Sequence, residues 1–356
     1  MKLSSKIMLL PVLALLASSC STTPEQKELT VNLSEEDIPF VNNAAVKIAS
    51  VVKFEDSAGP PLSFITRALK GSGHYYLIGK TASGDQVYRY DADGHYKGTV
   101  GQIGNGPGEY TSASDIGADF ENDRFYVLDS GKKIVVYNAE GSHQQDYHLN
   151  ISSSFAVNQQ GQFVHYTSLD QGYGITLTDH SGTVLQEFLR KDTQWQPIQE
   201  NHFHHNGNDI CFREAFSNTI YHLGDTTARP YVTFNWGEKN YLPEYDQLDL
   251  MGIYQAFAVE GKFRLFSGAI VGDTKIYASF SDQKEGISSH IIYNIPENKV
   301  SGFKTRHDQG LFFAMFMNEE QQPGFFTQGV FLKELFATEE VEFKEEAMYL
   351  VFLEIG

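Results

Sequence analysis

The chain is poor in cysteine, with two in 356 residues, Cys20 and Cys211. No disulfide framework can be drawn from so few, and the fold must hold by burial. Basic residues are short as well: 27 Lys and Arg stand against 45 Asp and Glu, a formal net charge of −18. Such a chain offers no basic stripe to a phosphate backbone, which argues against a nucleic-acid partner, and no charge attraction to anionic headgroups. Long apolar runs are missing too. The one run near the N-terminus, Ile7 to Leu16, covers ten residues, where a membrane-spanning helix needs roughly 20. Two motifs of nucleophilic catalysis are absent: there is no Gly-x-Ser-x-Gly and no cysteine beside a histidine. Proline and glycine are scattered as turns instead of gathered into a linker, so a single folded domain is expected.

What is present begins at the N-terminus. Lys2 and Lys6 flank the start of the apolar run, and Ala17-Ser18-Ser19-Cys20 follows it. A basic start, a short apolar stretch and small residues before a cysteine are what a lipoprotein signal peptidase needs. The small side chains fill the cleavage subsites, and the thiol carries diacylglycerol. Residues 1–20 therefore read as a lipoprotein signal peptide with Cys20 as the lipidated residue. Acyl chains at about 0.8 kcal/mol per buried CH₂ anchor a protein without a transmembrane helix. Ser21 replaces the aspartate associated with inner-membrane retention in some bacteria, which points to the outer membrane and leaves its face open. Residues 21–43 are polar and charged and read as a flexible tether. Cys211, within Asp209-Ile210-Cys211-Phe212, reads as a small buried strand residue.

The body of the chain is organised around Gly101-Gln102-Ile103-Gly104-Asn105-Gly106-Pro107-Gly108-Glu109-Tyr110. Four glycines and a proline in ten residues exclude a helix or a paired strand interior, and positive φ is expected at Gly104, Gly106 and Gly108. The stretch leads into a strand, so a dinucleotide-binding or P-loop reading fails on context. On either side lie units of the same pattern, short runs rich in β-branched and aromatic residues broken by Asp/Asn-x-x-Gly turns. Asp91 and Asn138 open two such turns 47 residues apart, and Asp179 opens a third 41 residues later. A period of about 40–50 residues with three or four strands per copy is the signature of a β-propeller.

The order strand, Tyr-x-x-Asp-x-x-Gly, strand, Ile-Gly-x-Gly-x-Gly-Pro-Gly-Glu-Tyr, strand, Leu-Asp-Ser resembles the six-bladed β-propeller family of bacterial envelope lipoproteins, related to NHL-repeat propellers. Phe216 to Leu223, Arg229 to Gly237 and the closing Met348 to Leu353 resemble later landmarks of that family. The resemblance implies an all-β, six-bladed propeller over residues 44–356. Ile48 to Phe54 precedes the first repeat and is expected to close the last blade. Short helical insertions are expected at 242–254, where Leu248, Met251 and Tyr254 recur at helical spacing, and near 331–336.

Three constellations are candidates for chemistry. The joint's Asn105, Glu109 and Tyr110 sit on a crossover between blades, the face where propeller ligands usually bind. His202 and His204 share one face of a strand, as two zinc or copper ligands would. Glu109, Asp115, Asp119, Glu121, Asp123 and Asp129 form an acidic series from which calcium could draw oxygens. Two readings of function follow. One is a lipid-anchored binding module with no cofactor and a protein or glycan partner at the propeller face. The other is a metal-dependent enzyme of the propeller lactonase or glycan lyase type, with its site at the central channel.

Overall fold

The computed structural model describes residues 28–356 apart from 43–44, 55–61, 63, 81–83, 131–132, 150–153, 169–171, 193–201, 207–208, 215, 225, 312–313 and 337–341. The expected signal peptide, Cys20 and the first part of the expected tether lie outside the described residues. Six antiparallel sheets form the blades of a ring. Blade 1 is Ile65–Gly71, His74–Gly79, Gln86–Asp91 and Tyr96–Thr99, and blade 2 is Ala113–Asp119, Arg124–Asp129, Lys133–Tyr137 and His143–His148. Blade 3 is Ser154–Val157, Phe163–Ser168, Tyr173–Thr178 and Val184–Lys191; blade 4 begins Phe203–Asn206, Asp209–Arg213, Thr219–Leu223 and Ala228–Asn235. Blade 5 is Leu265–Val271, Lys275–Asp282, Ile287–Asn294 and Lys299–Arg306. The first strand of each blade is innermost, and the inner strands of blades 6, 1, 2, 3, 4 and 5 touch in succession.

Blade 6 is assembled from both ends of the chain. Phe316–Met317, Pro323–Gln328 and Met348–Ile355 are followed outward by Val46–Lys53, which pairs antiparallel with Met348–Ile355. The expected ring closure is thus present, with the N-terminal strand outermost. Because Met348–Ile355 is paired on both edges and packed on both faces, six of its eight residues are buried in sequence.

The turns obey the chemistry read from sequence. Asp91 Oδ1 accepts from the backbone N–H of Asp93 (3.1 Å) and His95 (2.9 Å). Asn138 and Asp179 serve Ser142 and Thr183 in the same way at 2.7 and 2.9 Å. Each such bond fixes a tight return that lets the next strand pair. The helical segments fall where the spacing put them: Pro243–Gln247, Leu250–Tyr254 and Gln255–Val259 between blades 4 and 5, and Gly329–Leu335 within blade 6. None is long and apolar enough to cross a membrane.

The core lies between blades, where facing sheets interlock aromatic rings. Tyr76 of blade 1 stacks on Phe125 of blade 2 with centroids 4.6 Å apart, and Phe234 of blade 4 meets Phe280 of blade 5 edge-on at 5.4 Å. Full burial of each such side chain contributes roughly 1.5–3 kcal/mol. Cys211 is fully buried in this layer, and burial pushes its thiol above the usual range.

The tether reading needs correction after residue 28. Leu29–Asn32 forms a strand parallel to Ala228–Asn235, a fifth strand on blade 4. Val31 and Ile38 are buried between blades 4 and 5. Glu35 pairs with the guanidinium of Arg264, which is only 4% exposed. The residues that made this stretch look solvated include the counter-charge of a buried arginine. The folded unit therefore starts well before residue 44.

Candidate functional site

The inner strands enclose a cavity of about 920 Å³ on the ring axis. Its walls come from blades 1, 2, 3, 4 and 6, and it opens at the end where the inner strands finish, near Asp119, Asn122, Gln159, His205 and Glu319. Aromatic Phe120 and Phe316 stand among these polar groups. Planar apolar surface beside amides, imidazole and carboxylates suits a polar ligand that also presents an apolar face.

Arg67, from the inner strand of blade 1, reaches across the axis. Its Nε lies 3.1 Å from Asp115 Oδ1 of blade 2, and its Nη2 donates to Phe203 O of blade 4 at 3.3 Å. Asp115 is further held by Ser154 Oγ (2.9 Å), Phe155 N (3.0 Å) and Ile116 N (2.8 Å). Burial pushes the Asp115 carboxyl above its usual range, against the pull of Arg67 and these three donors. Arg67 thus ties blade 1 to two other blades in the wall of the cavity. His204 Nε2 accepts from Val271 N at 2.9 Å, linking blades 4 and 5. Burial, then His205 and Arg67, lowers its pKa to about 3, so the ring is neutral and its proton sits on Nδ1. His205 is exposed beside the opening, and partial desolvation by the wall, then Arg67, shifts it down.

The two histidines, His202 and His204, are engaged in separate structural tasks. His202 is fully buried, its Nδ1 3.0 Å from Arg213 O and its ring 4.6 Å from that of Tyr166. His204 is committed to Val271. The acidic series is also divided among local tasks. Asp119 caps the turn at Phe120–Asn122, Asp123 accepts from Ala139 N (2.7 Å), and Asp129 Oδ1 accepts from Thr111 N (2.8 Å). Among the described residues, the one group that brings three possible ligand atoms within 4.8 Å of one another is Asp91, Asp93 and His95, on a solvent-facing turn. Two of its carboxylate oxygens already serve the turn and Lys97, since Asp91 Oδ2 lies 2.9 Å from Lys97 Nζ.

The joint lies at the other end of the ring. It feeds the start of the inner strand of blade 2 at Ala113, whereas the cavity opens beyond that strand's end at Asp119. Tyr110 is fully buried: its hydroxyl donates to Val100 O (2.8 Å) and accepts from Val87 N (3.1 Å). Glu109 folds back to accept from Gly106 N at 2.8 Å, and Asn105 is exposed. Tyr110 is therefore removed from the ligand-contacting candidates.

Of the three glycines expected at positive φ, Gly108 alone has it, at +71°. Gly104 and Gly106 are small for another reason, since a Cβ there would meet the Glu109 carboxylate. Gly108→Ala combines the unfavourable φ with a Cβ 2.6 Å from the His143 ring. It is expected to cost about 1 kcal/mol or more. Gly106→Ala, 3.0 Å from a side-chain tip that can move, should melt close to the wild type. Thermal melts of the pair check the ranking, and equal melting would contradict it.

Sequence reasoning placed its enzyme alternative at the central channel and named His204, Asp119 and Glu121 of the wall, but missed the rest because it comes from positions as far apart as Arg67 and Glu319. The available signal was weak: the first strand of each repeat, once numbered as innermost, names the wall.

A family model described as a domain of unknown function (DUF4934) matches residues 63–345. Among solved structures, a candidate exported protein of Bacteroides fragilis NCTC 9343 superposes with a TM-score of 0.71 at 13% identity, covering 93% of this chain and 100% of that one. A member of the DUF4221 family from Bacteroides vulgatus ATCC 8482 gives 0.50 at 12% identity, covering 88% and 99%. At these identities the likeness speaks for the fold alone. No curated protein matches the sequence.

Proposed function

The chain belongs to the DUF4934 family, and we propose that it is an exported, lipid-anchored binding module whose ligand site is the axial cavity. The observation that carries the reading is the cavity itself: about 920 Å³, open at one end and walled by polar and aromatic side chains from five blades. Export is supported by the signal-like residues 1–20 and by the description of the structurally similar Bacteroides protein as a candidate exported protein. Lipidation at Cys20, placement in the outer membrane and kinship with NHL-repeat propellers belong to the same proposal. The divided carboxylates and committed histidines give no support to a metal-dependent enzyme. The binding reading needs no cofactor, and its ligand is a soluble glycan or peptide with one apolar face.

The test is recovery of the full chain from native membranes followed by mass spectrometry of what it retains. His205→Trp fills the opening and is expected to lose the retained molecule while melting as the wild type does. Retention by His205→Trp, with loss in Asn105→Ala or Glu109→Ala, would move the site to the joint and overturn the cavity reading.

A further inference from the structure

The insertion between blades 4 and 5 carries exposed apolar residues that the propeller core does not use. Leu250 is 64% exposed, Met251 70%, Tyr254 58% and Val259 50%. They form one stripe. Leu250 and Tyr254 are four apart on the α-turns, and Val259 follows five later, the spacing of the π-turn that closes with Glu260 N donating to Gln255 O at 2.9 Å. The opposite side holds the insertion down through buried Ile253 and Ala256, which pack with Tyr241 and Phe263. Polar ties fix it as well: Tyr241 donates to Asp246 (2.7 Å), and Lys191 of blade 3 lies 3.8 Å from Asp246 and 2.6 Å from buried Glu214. The stripe is therefore presented on a fixed base.

Exposed large apolar residues outside the insertion differ. Phe40 lies under Lys304 and Arg306, and Phe64 under Lys80. Val184 and Leu185 are neighbours on one strand and point to opposite faces. A contiguous apolar stripe on a soluble surface marks a contact.

The start of the described chain says what covers it. Asn32 Oδ1 accepts from Asn235 Nδ2 at 2.8 Å, and Asn235 O accepts from Leu33 N, at the residue where blade 4 gives way to the insertion. Cys20 precedes Asn32 by twelve residues, a reach of about 40 Å when extended. A lipid on Cys20 would hold the bilayer within that reach of the insertion's root.

We propose that the stripe of Leu250, Met251, Tyr254 and Val259 rests in the bilayer to which Cys20 is anchored. The inference rests on the lipid-anchor reading. Its chemistry is apolar insertion without electrostatic attraction, because Glu244, Asp246, Asp249 and Glu260 surround the stripe and the chain is strongly acidic. The geometry has a functional consequence. The insertion precedes the start of an inner strand, Leu265–Val271, whereas the cavity opens where inner strands end. A propeller seated on this stripe turns its cavity away from the membrane.

The full lipidated chain is reconstituted into neutral phosphatidylcholine vesicles, with an environment-sensitive fluorophore on Met251→Cys or, as control, on Glu140→Cys at the far end of the ring. Buried Cys211 does not compete for the label. Lipid-borne quencher is expected to act roughly threefold more strongly at 251 than at 140, unchanged by salt. Aqueous emission at 251 in chains that float with the vesicles would overturn the proposal and leave the anchor intact. A blue shift at 251 that depends on protein concentration and resists lipid quencher would assign the stripe to a second copy, and also overturn it. Wild-type chain without acyl mass that fails to float would refute the anchor, and the proposal with it.

Discussion

A chain shortened to begin after residue 55 is expected to lose cooperative melting and to aggregate. Such a chain lacks Val46–Lys53, the outer strand of blade 6, and leaves Met348–Ile355 as an unpaired edge with a row of free backbone donors and acceptors. It also lacks Phe54, which is fully buried and meets Tyr75 and Tyr90 edge-on at 5.7 and 5.0 Å. Ring closure in this fold is non-covalent, so the loss falls on both blade 6 and its contact with blade 1. Removal of residues 1–27 alone should leave melting unchanged. Removal through 43 should give an intermediate result, a folded but weakened ring. It takes away Leu29–Asn32, buried Val31 and Ile38, and Glu35, leaving Arg264 with Asp282 at 3.6 Å as its remaining carboxylate. Glu35 is 46% exposed, so its loss costs less than the roughly 3–5 kcal/mol of a fully buried pair, and Asp282 offsets part of that. Circular dichroism melts and size-exclusion profiles of the three truncations decide the matter. Equal melting for the shortest and longest truncations would contradict the closure, and a chain starting after 43 that melts like one starting after 27 would restore the tether reading.

The fold was legible where physics acts locally. Asp91, Asn138 and Asp179 announce turns because their side chains bond backbone two to four residues on, and their spacing counts the blades. Ring closure was legible because an unmatched strand before the first repeat has one free place to go. Legibility ended where partners are distant. Glu35 looks like a solvated charge until Arg264 is brought to it, and nothing in the sequence marks Arg67 until Asp115 and Phe203 O are beside it. The candidate site is made of such pairings, since each blade contributes only an inner strand to the cavity. The joint misled for a related reason. Its composition marks a demanding backbone path, and that path is maintained by Tyr110, Glu109 and Gly108 for the sake of the crossover itself.

Tyr110→Ala is expected to be the most damaging single substitution in that crossover. The ring is fully buried between blades 1 and 2 among Ile78, Val87, Val100 and Tyr137. Losing a buried aromatic of this size costs roughly 3–5 kcal/mol through transfer and cavity terms. The hydroxyl adds a second role, because it satisfies Val87 N and Val100 O, one on each side of the last blade 1 pairing. Tyr110→Phe keeps the packing and strands those two backbone groups, at about 1–3 kcal/mol for each buried group left unsatisfied. The two variants therefore separate packing from polar satisfaction. The neighbouring Tyr137, whose hydroxyl donates to Gly108 O at 2.8 Å, provides a control for the same crossover, since Tyr137→Phe removes one bond that solvent can partly replace. Urea unfolding of the three should rank Tyr110→Ala, then Tyr110→Phe, then Tyr137→Phe in lost stability. If Tyr110→Phe matched the wild type, the hydroxyl would not be holding the crossover; if Tyr110→Ala did, the joint would be a surface loop after all.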